Sequence, residues 1–205
     1  MNLHYGCGLL EAPGWYNRDA SPTLRLQRLP LVGLAFRKCL QPAFPRTIRY
    51  GDIVKGLPLS PDSCDAIYCC HVLEHLSLED ARTALLNTYK YLRPRGLFRL
   101  VVPDFEQLVA TYLASDDASA LSQFLNYTHL GRTTRPRGMS MMLRELFGNS
   151  HHLWMWDFKG LSGELSWVGF RDVRRCQIGD SSNPAFQAVE HKQRFDAALA
   201  IECTK

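Results

Sequence analysis

The length, composition and charge of the chain indicate an ordinary globular protein. Its 205 residues are 46% hydrophobic and 21% charged, which excludes a disordered chain and suits one domain with a sizeable core. A net charge of +4 is too small to indicate nucleic-acid binding without a localised basic patch, so we expect no nucleic acid as a partner.

The lengths of the apolar segments and the number of cysteines indicate in which compartment of the cell the protein is found. No apolar run reaches the roughly 18 residues that a membrane span needs. The seven cysteines are odd in number and form no C-x-x-C pair, which indicates reduced thiols rather than disulfides or a zinc site. The first residues do not resemble a signal peptide, and we therefore expect a cytoplasmic location.

The first pattern is a short apolar strand that ends in a Gly-x-Gly turn, over Leu3–Gly8. Glycine accepts a positive φ and lets a ligand approach the backbone closely. Two glycines after a buried strand therefore indicate a ligand turn at the carboxyl edge of an α/β sheet, although a plain turn remains an alternative.

A second predicted strand, Tyr16–Asp19, ends in a carboxylate that can accept hydrogen bonds from both hydroxyls of a ribose. The alternative is that Asp19 is a turn aspartate or a helix cap, because Asp19–Pro22 resembles the start of a helix. Asp19 follows Gly8 by only eleven positions, whereas a dinucleotide fold places its acid about 20 residues on, after a helix that binds the pyrophosphate. The pattern therefore favours an adenosine ligand without phosphates over NAD.

Residues 22–46 mix leucines with arginines. They suit either a membrane-surface helix or lid, or a pair of crossover helices interrupted at Pro30 and ended by Pro42. We favour the helix pair because Pro30 and Gly33 interrupt any long amphipathic face.

Three more strands are predicted, at Thr47–Ile53, Asp65–Cys70 and Leu97–Val102. In the first, Asp52 can accept from an adenine amine while Ile53 packs on the base, although a simple turn aspartate is the alternative. The second is apolar on both faces, as in a parallel sheet covered by helices. A helix that begins at Ser77 joins it to the third strand, which completes a βαβ unit.

The rest of the chain is predicted to hold a helix at Phe105–Leu113, a helical insertion over residues 115–150, a helix after Asp157, and two last strands at Arg171–Ile178 and Phe195–Cys203. The insertion carries methionines and arginines that suit either a substrate pocket or a packed, solvated cap; they are Met139, Met141, Met142, Arg132, Arg135, Arg137 and Arg144. We see no domain boundary and expect one domain over residues 1–205.

The order and spacing of five segments resemble those of class I S-adenosylmethionine-dependent methyltransferases of the small bacterial type. The segments are Leu3–Gly8, Gly14–Asp19, Gly51–Ile53, Asp65–His75 and Leu92–Gly96. The resemblance implies a Rossmann-like three-layer α/β/α fold, with a seven-stranded, mostly parallel sheet and an antiparallel last strand. It also implies S-adenosylmethionine as the cofactor and S-adenosylhomocysteine as the product.

The same resemblance assigns parts of the cofactor to residues of this chain. The methionine part is expected at Tyr5, Gly6, Cys7 and Gly8, the ribose at Asp19 with Ala20, the adenine at Asp52 and Ile53, and the region near the methyl group at Cys70 and His71.

We therefore predict methyl transfer to an oxygen or nitrogen of a small-molecule or sugar-like acceptor. His71 is the first candidate for a general base because it follows the central strand. Further side chains are candidates to line the acceptor pocket: His75, Asp104, His151, His152 and Trp154. The alternative is a non-catalytic module that binds S-adenosylmethionine or docks on a partner or membrane.

No metal is expected. The four histidines His71, His75, His151 and His152 are not accompanied by cysteine or carboxylate ligands at the usual spacings.

Overall fold

The computed structural model describes residues 1–31, 33–39, 41–131 and 151–205, and within them the chain forms one seven-stranded sheet. The strands are β1 (Asn2–Tyr5), β2 (Trp15–Asp19), β3 (Arg49–Tyr50), β4 (Cys64–Cys70), β5 (Leu92–Pro103), β6 (Arg171–Arg175) and β7 (Ala198–Thr204). The α-helices are α1 (Pro22–Gln27), α2 (Gly33–Cys39), α3 (Leu78–Tyr91), α4 (Phe105–Leu113), α5 (Ala120–Tyr127) and α6 (Phe158–Val168). Short 3₁₀ helices lie at Leu73–His75, Pro184–Ala188 and Lys192–Arg194.

The strand order is β3-β2-β1-β4-β5-β7-β6, and β7 runs antiparallel to both of its neighbours while the remaining pairs are parallel. The predicted fold class is confirmed, including the antiparallel last strand. The order reverses between β1 and β4, where Tyr5 lies opposite Cys69. In an open α/β sheet, such a reversal leaves a ligand crevice beyond the carboxyl ends of the two strands.

Two well-capped helices cover one face of the sheet. The Ser77 hydroxyl accepts the N–H of Asp80 at 3.2 Å and starts α3, as the sequence predicts. The Asp157 carboxylate accepts the N–H of Gly160 at 2.7 Å and starts α6. Both helices bury leucines against the sheet in the larger core, which places the carboxyl ends of β1 and β4 at the rim of that core.

The opposite face is covered differently. No helix joins β1 to β2, as the spacing predicts. Among the described residues, Phe186 takes that place: its ring centroid lies 5.6 Å from that of Trp15 and 6.2 Å from that of Tyr68. A segment from late in the chain therefore fills the space left by the short β1–β2 connection, and nothing in the sequence pattern predicts this contact.

Residues 22–46 form the helix pair α1 and α2 rather than one long amphipathic helix. Their arginines bind inward: Arg28 donates to the Ile48 carbonyl at 2.9 Å, and Arg37 donates to the Phe44 carbonyl at 2.7 Å. The Arg25 guanidinium lies 5.5 Å from the ring centroid of Tyr50. These contacts favour the packing interpretation of the segment over membrane docking.

The third predicted strand is shorter than expected. It is predicted over Thr47–Ile53, but β3 spans only Arg49–Tyr50. The Asp52 carboxylate accepts the N–H of Val54 at 3.0 Å and folds the chain into a turn directly after the strand.

The predicted insertion is described only in part. Helix α5 lies in it, whereas residues 132–150, with all three methionines and all four arginines named above, lie outside the described residues. The helical cap and the single domain therefore stay predictions. In the part of the chain that is described, every helix is too short or too polar to cross a membrane.

Stability is expected to depend on the protonation of His4, which is buried between Tyr68 and Trp15. Burial lowers the pKa of His4 to about 4, so its imidazole is neutral in the folded chain at pH 7. The unfolded chain binds that proton near pH 6.5, so stability is full above pH 6.5 and falls by about 3 kcal/mol as the pH approaches 4. Urea unfolding between pH 7.5 and 4, in steps of about 0.5, measures this loss.

The control for this prediction is His4→Phe, which removes the titrating group and keeps an aromatic ring in place. It should flatten the pH dependence; an unchanged slope would contradict the assignment. Burial also lowers the pKa of His152, so part of the slope should persist.

Candidate functional site

A cavity of about 420 Å³ lies at the carboxyl ends of β1 and β4, where the strand order reverses. We call it the cofactor cavity. It is lined by Tyr5, Gly6, Gly8, Asp19, Ala20, Ser21, Pro22, Thr23, Gly51, Asp52, Ile53, Val54, Cys70, His71, Val72, His75, Leu76 and Arg194.

The structure brings all the residues predicted for the cofactor to this cavity except Cys7. The Cys7 N–H donates to the Arg18 carbonyl at 3.1 Å, which extends the pairing of β1 with β2. Its thiol is buried beside Leu24 and Ile48, and burial raises its pKa to about 12. Cys7 therefore faces the core and a neighbouring cavity, because strand-like backbone alternates its side chains between the two faces.

The glycine turn has the backbone that the sequence predicts. Gly6 and Gly8 have φ values of +69° and +55°. A Cβ on Gly6 would lie 2.0 Å from Cγ2 of Val72, whereas a Cβ on Gly8 would meet no atom within 4 Å. The two glycines thus share a backbone requirement and differ in the space around them.

We expect Gly6→Ala to destabilise the protein by about 2–5 kcal/mol, because a left-handed backbone costs roughly 1–2 kcal/mol and overpacking roughly 1–3 kcal/mol. Gly8→Ala is the matched control and should cost only the backbone part, about 1–2 kcal/mol. Urea unfolding of both variants tests this difference. Equal losses would mean that Val72 moves aside freely.

The Asp19 carboxylate is fixed at the end of β2 by two backbone donors. Oδ2 accepts the N–H of Gly8 at 2.9 Å, and Oδ1 accepts the N–H of Ser21 at 2.8 Å. The turn role of Asp19 is compatible with the predicted ligand role, since each oxygen keeps a second lone pair. The carboxylate lines the cofactor cavity within reach of the glycine turn.

Asp52 and Ile53 line the same cavity beyond β3. Oδ1 of Asp52 holds its own turn, and Oδ2 lies 3.2 Å from Nζ of Lys55, whose side chain is largely exposed. Ile53 is buried. An apolar side chain and an acceptor thus lie side by side, which suits the face and the amine edge of a base.

His71 follows β4 with a φ of +53° and lines the cofactor cavity. Its Nδ1 lies 3.0 Å from Oε1 of the buried Glu74, and its Nε2 lies 3.1 Å from the carbonyl oxygen of Arg194. Both neighbours are acceptors. A carboxylate at Nδ1 holds a proton there, and Nε2 can present a lone pair only after it leaves the Arg194 carbonyl, because a carbonyl oxygen accepts and does not donate.

The candidates for the acceptor pocket divide into two groups. His75 lines the cofactor cavity, and the His152 ring packs against it with centroids 5.0 Å apart. Asp104 instead caps α4, accepting the N–H of Glu106 at 3.1 Å, and pairs with Arg175 at 3.0 Å. Trp154 is half-exposed and packs against Trp156, so neither it nor Asp104 lines the cavity. The His151 carbonyl accepts from Nδ1 of His75 at 3.1 Å.

Sequence reasoning missed Arg194. It lines the cofactor cavity and an adjacent cavity of about 310 Å³, and its carbonyl contacts His71. Residues 181–197 show only the composition of a polar turn, so no motif marks Arg194. Its position depends on the packing of Phe186 against the sheet.

Comparisons with known proteins agree with this geometry. Residues 4–100 match a family model described as a methyltransferase domain. A SAM-dependent methyltransferase from Archaeoglobus fulgidus is similar in structure, at 14% identity over 100% of this chain and 85% of its own, with a TM-score of 0.51. A chain from the Haloferax volcanii complex with the Trm112 methyltransferase activator is 14% identical over 99% of this chain and 81% of its own, with a TM-score of 0.50. None of the curated proteins matches.

Proposed function

We propose that this chain, which has the fold of class I S-adenosylmethionine-dependent methyltransferases and a methyltransferase domain over residues 4–100, transfers a methyl group to an oxygen or nitrogen of a small-molecule or sugar-like acceptor. The cofactor of this fold is S-adenosylmethionine. The free thiols of all seven cysteines, six of them buried, support the proposal that the protein works in the cytoplasm.

One observation carries the proposal: a glycine turn, a carboxylate suited to a ribose and an apolar wall line one cavity, and no helix follows the glycine turn. Gly6 and Gly8 let a ligand approach the backbone, Asp19 offers two acceptor oxygens, and Ile53 is the apolar wall. Between Gly8 and β2 there is no helix to bind a pyrophosphate. These features fit a sulfonium nucleoside better than a dinucleotide.

S-adenosylmethionine supplies a methyl group on a positively charged sulfur, and transfer is an in-line displacement. The chain contributes position and a dry surrounding. Tyr5, Gly6 and Gly8 form the turn that would hold the methionine part, and Asp19 and Asp52 would fix the nucleoside. Cys70 stays a neutral thiol beside them, because burial raises its pKa to about 11.

His71 is the base of this proposal. Glu74 orients it through Nδ1, in the way a carboxylate orients the histidine of a catalytic triad. To accept a proton from the acceptor, Nε2 must exchange its contact with the Arg194 carbonyl for the acceptor hydroxyl or amine.

Calorimetry with S-adenosylhomocysteine tests the cofactor, and a screen with labelled S-adenosylmethionine tests transfer. We expect micromolar binding in the wild type and in His71→Gln, with transfer lost only in His71→Gln. His191→Gln, in the adjacent cavity, is the matched control and should keep both activities.

Absence of binding heat in folded wild-type protein would overturn the proposal. Binding without transfer to any acceptor in the screen would favour the non-catalytic module instead.

A further inference from the structure

A cluster of three ionisable side chains lies beside the cofactor cavity, in the turn after β4. Glu74 and His75 lie in this turn, whereas His152 follows His75 by 77 positions in the chain. One ligand atom of each residue lies within 4.8 Å of those of the other two. Sequence spacing hides this cluster, because its third member is distant in the chain.

Backbone hydrogen bonds hold the two segments together. The N–H groups of Leu153 and Trp154 both donate to the Glu74 carbonyl, at 2.7 and 3.2 Å. In return, Nδ1 of His75 donates to the His151 carbonyl at 3.1 Å. His152 is therefore placed against the turn by the main chain on both of its sides.

The hydrogen-bond pattern leaves one lone pair on each residue of the cluster. Nδ1 of His75 carries its proton towards a carbonyl, so Nε2 carries the lone pair. Oε1 of Glu74 contacts His71, while Oε2 is buried with no hydrogen-bond partner in the described part of the chain. Nδ1 of His152 is likewise buried without a partner among the described residues.

These free atoms form an unusual combination for a protein interior. The Glu74 side chain is only 1% exposed, and a buried carboxylate oxygen without a donor is costly. No lysine or arginine pairs with it among the described residues. A divalent cation between the three atoms would satisfy all of them at once.

We propose that Glu74, His75 and His152 bind a divalent transition-metal ion, and that zinc is the ion this donor set fits. Two imidazoles and one carboxylate, with further coordination positions open, are the ligands of catalytic zinc sites. Bond lengths of about 2.1 Å in a tetrahedron place ligand atoms roughly 3.4 Å apart, so small side-chain rotations close the site.

The surroundings already supply the supporting contacts of such a site. Ligating histidines and carboxylates are usually oriented by a second hydrogen bond. The His151 carbonyl orients His75, and His71 contacts Oε1 of Glu74 while leaving Oε2 free. His75 also lines the cofactor cavity, so the open coordination positions lie at the edge of that cavity.

A role for the ion rests on the proposed function and narrows its acceptor to a hydroxyl compound. The ion would bind the acceptor oxygen and lower its pKa. The hydroxyl proton then moves to Nε2 of His71. The oxygen forms a bond to the methyl carbon as the bond from that carbon to sulfur breaks, which leaves a neutral thioether and an imidazolium.

Zinc titration of metal-free protein against a chromogenic chelator tests the site. We expect one zinc ion per wild-type chain with submicromolar affinity, weakened at least about tenfold in His75→Gln, in His152→Gln and in Glu74→Gln. His191→Gln is the matched control and should bind like the wild type. The cobalt-substituted protein should lack a thiolate charge-transfer band, which separates this site from the cysteines.

Glu74 is fully buried, so urea unfolding must show that each variant is folded; His75 and His152 are only partly buried, so their variants are less at risk. Equal zinc affinity in folded His152→Gln, or no zinc in the wild type, overturns the proposed metal site. Wild type that binds S-adenosylhomocysteine but not zinc refutes only the metal site. Wild type that binds zinc but not S-adenosylhomocysteine refutes only the proposed function.

Discussion

Asn in place of Asp19 is expected to weaken S-adenosylhomocysteine binding about 100-fold, the largest binding effect that we expect for the proposed cofactor site. Hydrogen bonds to a charged acceptor contribute about 1.5–3 kcal/mol each, and 100-fold corresponds to about 2.7 kcal/mol. Oδ1 and Oδ2 of Asp19 are already fixed by Ser21 and Gly8, so their remaining lone pairs need no reorganisation to receive the ribose hydroxyls. Calorimetry measures the loss.

Asp52→Asn is the matched control for this change. Asp52 would accept a single hydrogen bond from the adenine, and its partner Lys55 lies at the surface, so we expect no more than about a tenfold loss. Urea unfolding must accompany both measurements because an asparagine amide cannot accept from both backbone donors of Asp19. Affinity of Asp19→Asn within about threefold of wild type would contradict the ribose assignment.

Replacement of Arg99 by methionine is expected to cost about 3–5 kcal/mol of stability, the largest folding effect that we expect. The Arg99 side chain is completely buried and faces three carboxylates. Nη1 lies 2.9 Å from Glu202 and Nη2 lies 2.7 Å from Asp180. Nε of Arg99 lies 2.6 Å from Oε1 of Glu190, but the two groups are not aligned for a hydrogen bond. Removing the guanidinium leaves the buried Glu190 without a positive partner among the described residues, whereas Asp180 and Glu202 keep their pairs with Arg174.

Arg93→Met is the matched control on the same strand. Arg93 pairs with Asp65 at 2.6 Å, but its side chain is 57% exposed, so we expect a loss below about 1 kcal/mol. Midpoints of urea unfolding compare the two variants. Adding Glu190→Gln to Arg99→Met should recover part of the loss, because it removes one buried charge; no recovery would mean that packing, and not charge, carries the effect.

The Arg99 network also bears on the cofactor cavity. In the sequence, Glu190 lies between Phe186, which covers the sheet, and Arg194, which lines the cofactor cavity. Its contact with Arg99 ties this segment to the central part of the sheet. We therefore expect Arg99→Met, even where it remains folded, to weaken cofactor binding, whereas Arg93→Met should leave binding unchanged.

Local sequence patterns predict most of the sheet and many of the residues that line the cofactor cavity. The short apolar strand segments, the Ser77 and Asp157 caps and the glycine turn are local signals, and apart from the shortened β3 each is found where the pattern predicts it. The missing helix before Asp19 is a matter of chain length, which needs no tertiary information. Parallel strands have their carboxyl ends at one edge of the sheet. Residues that follow different strands therefore lie close together at that edge, which the predicted strands alone imply.

The groups from distant parts of the chain that complete the candidate site are found only in the folded structure. Asp104 follows a predicted strand but caps a helix, and Trp154 makes an edge contact with the buried Trp156. Arg194 lies outside every predicted motif, and Glu74 lies in the Asp65–His75 segment without a predicted role of its own. His152 meets Glu74 through backbone hydrogen bonds between segments far apart in the chain. Such contacts depend on how loops pack against a finished sheet, and neither periodicity nor spacing encodes that packing.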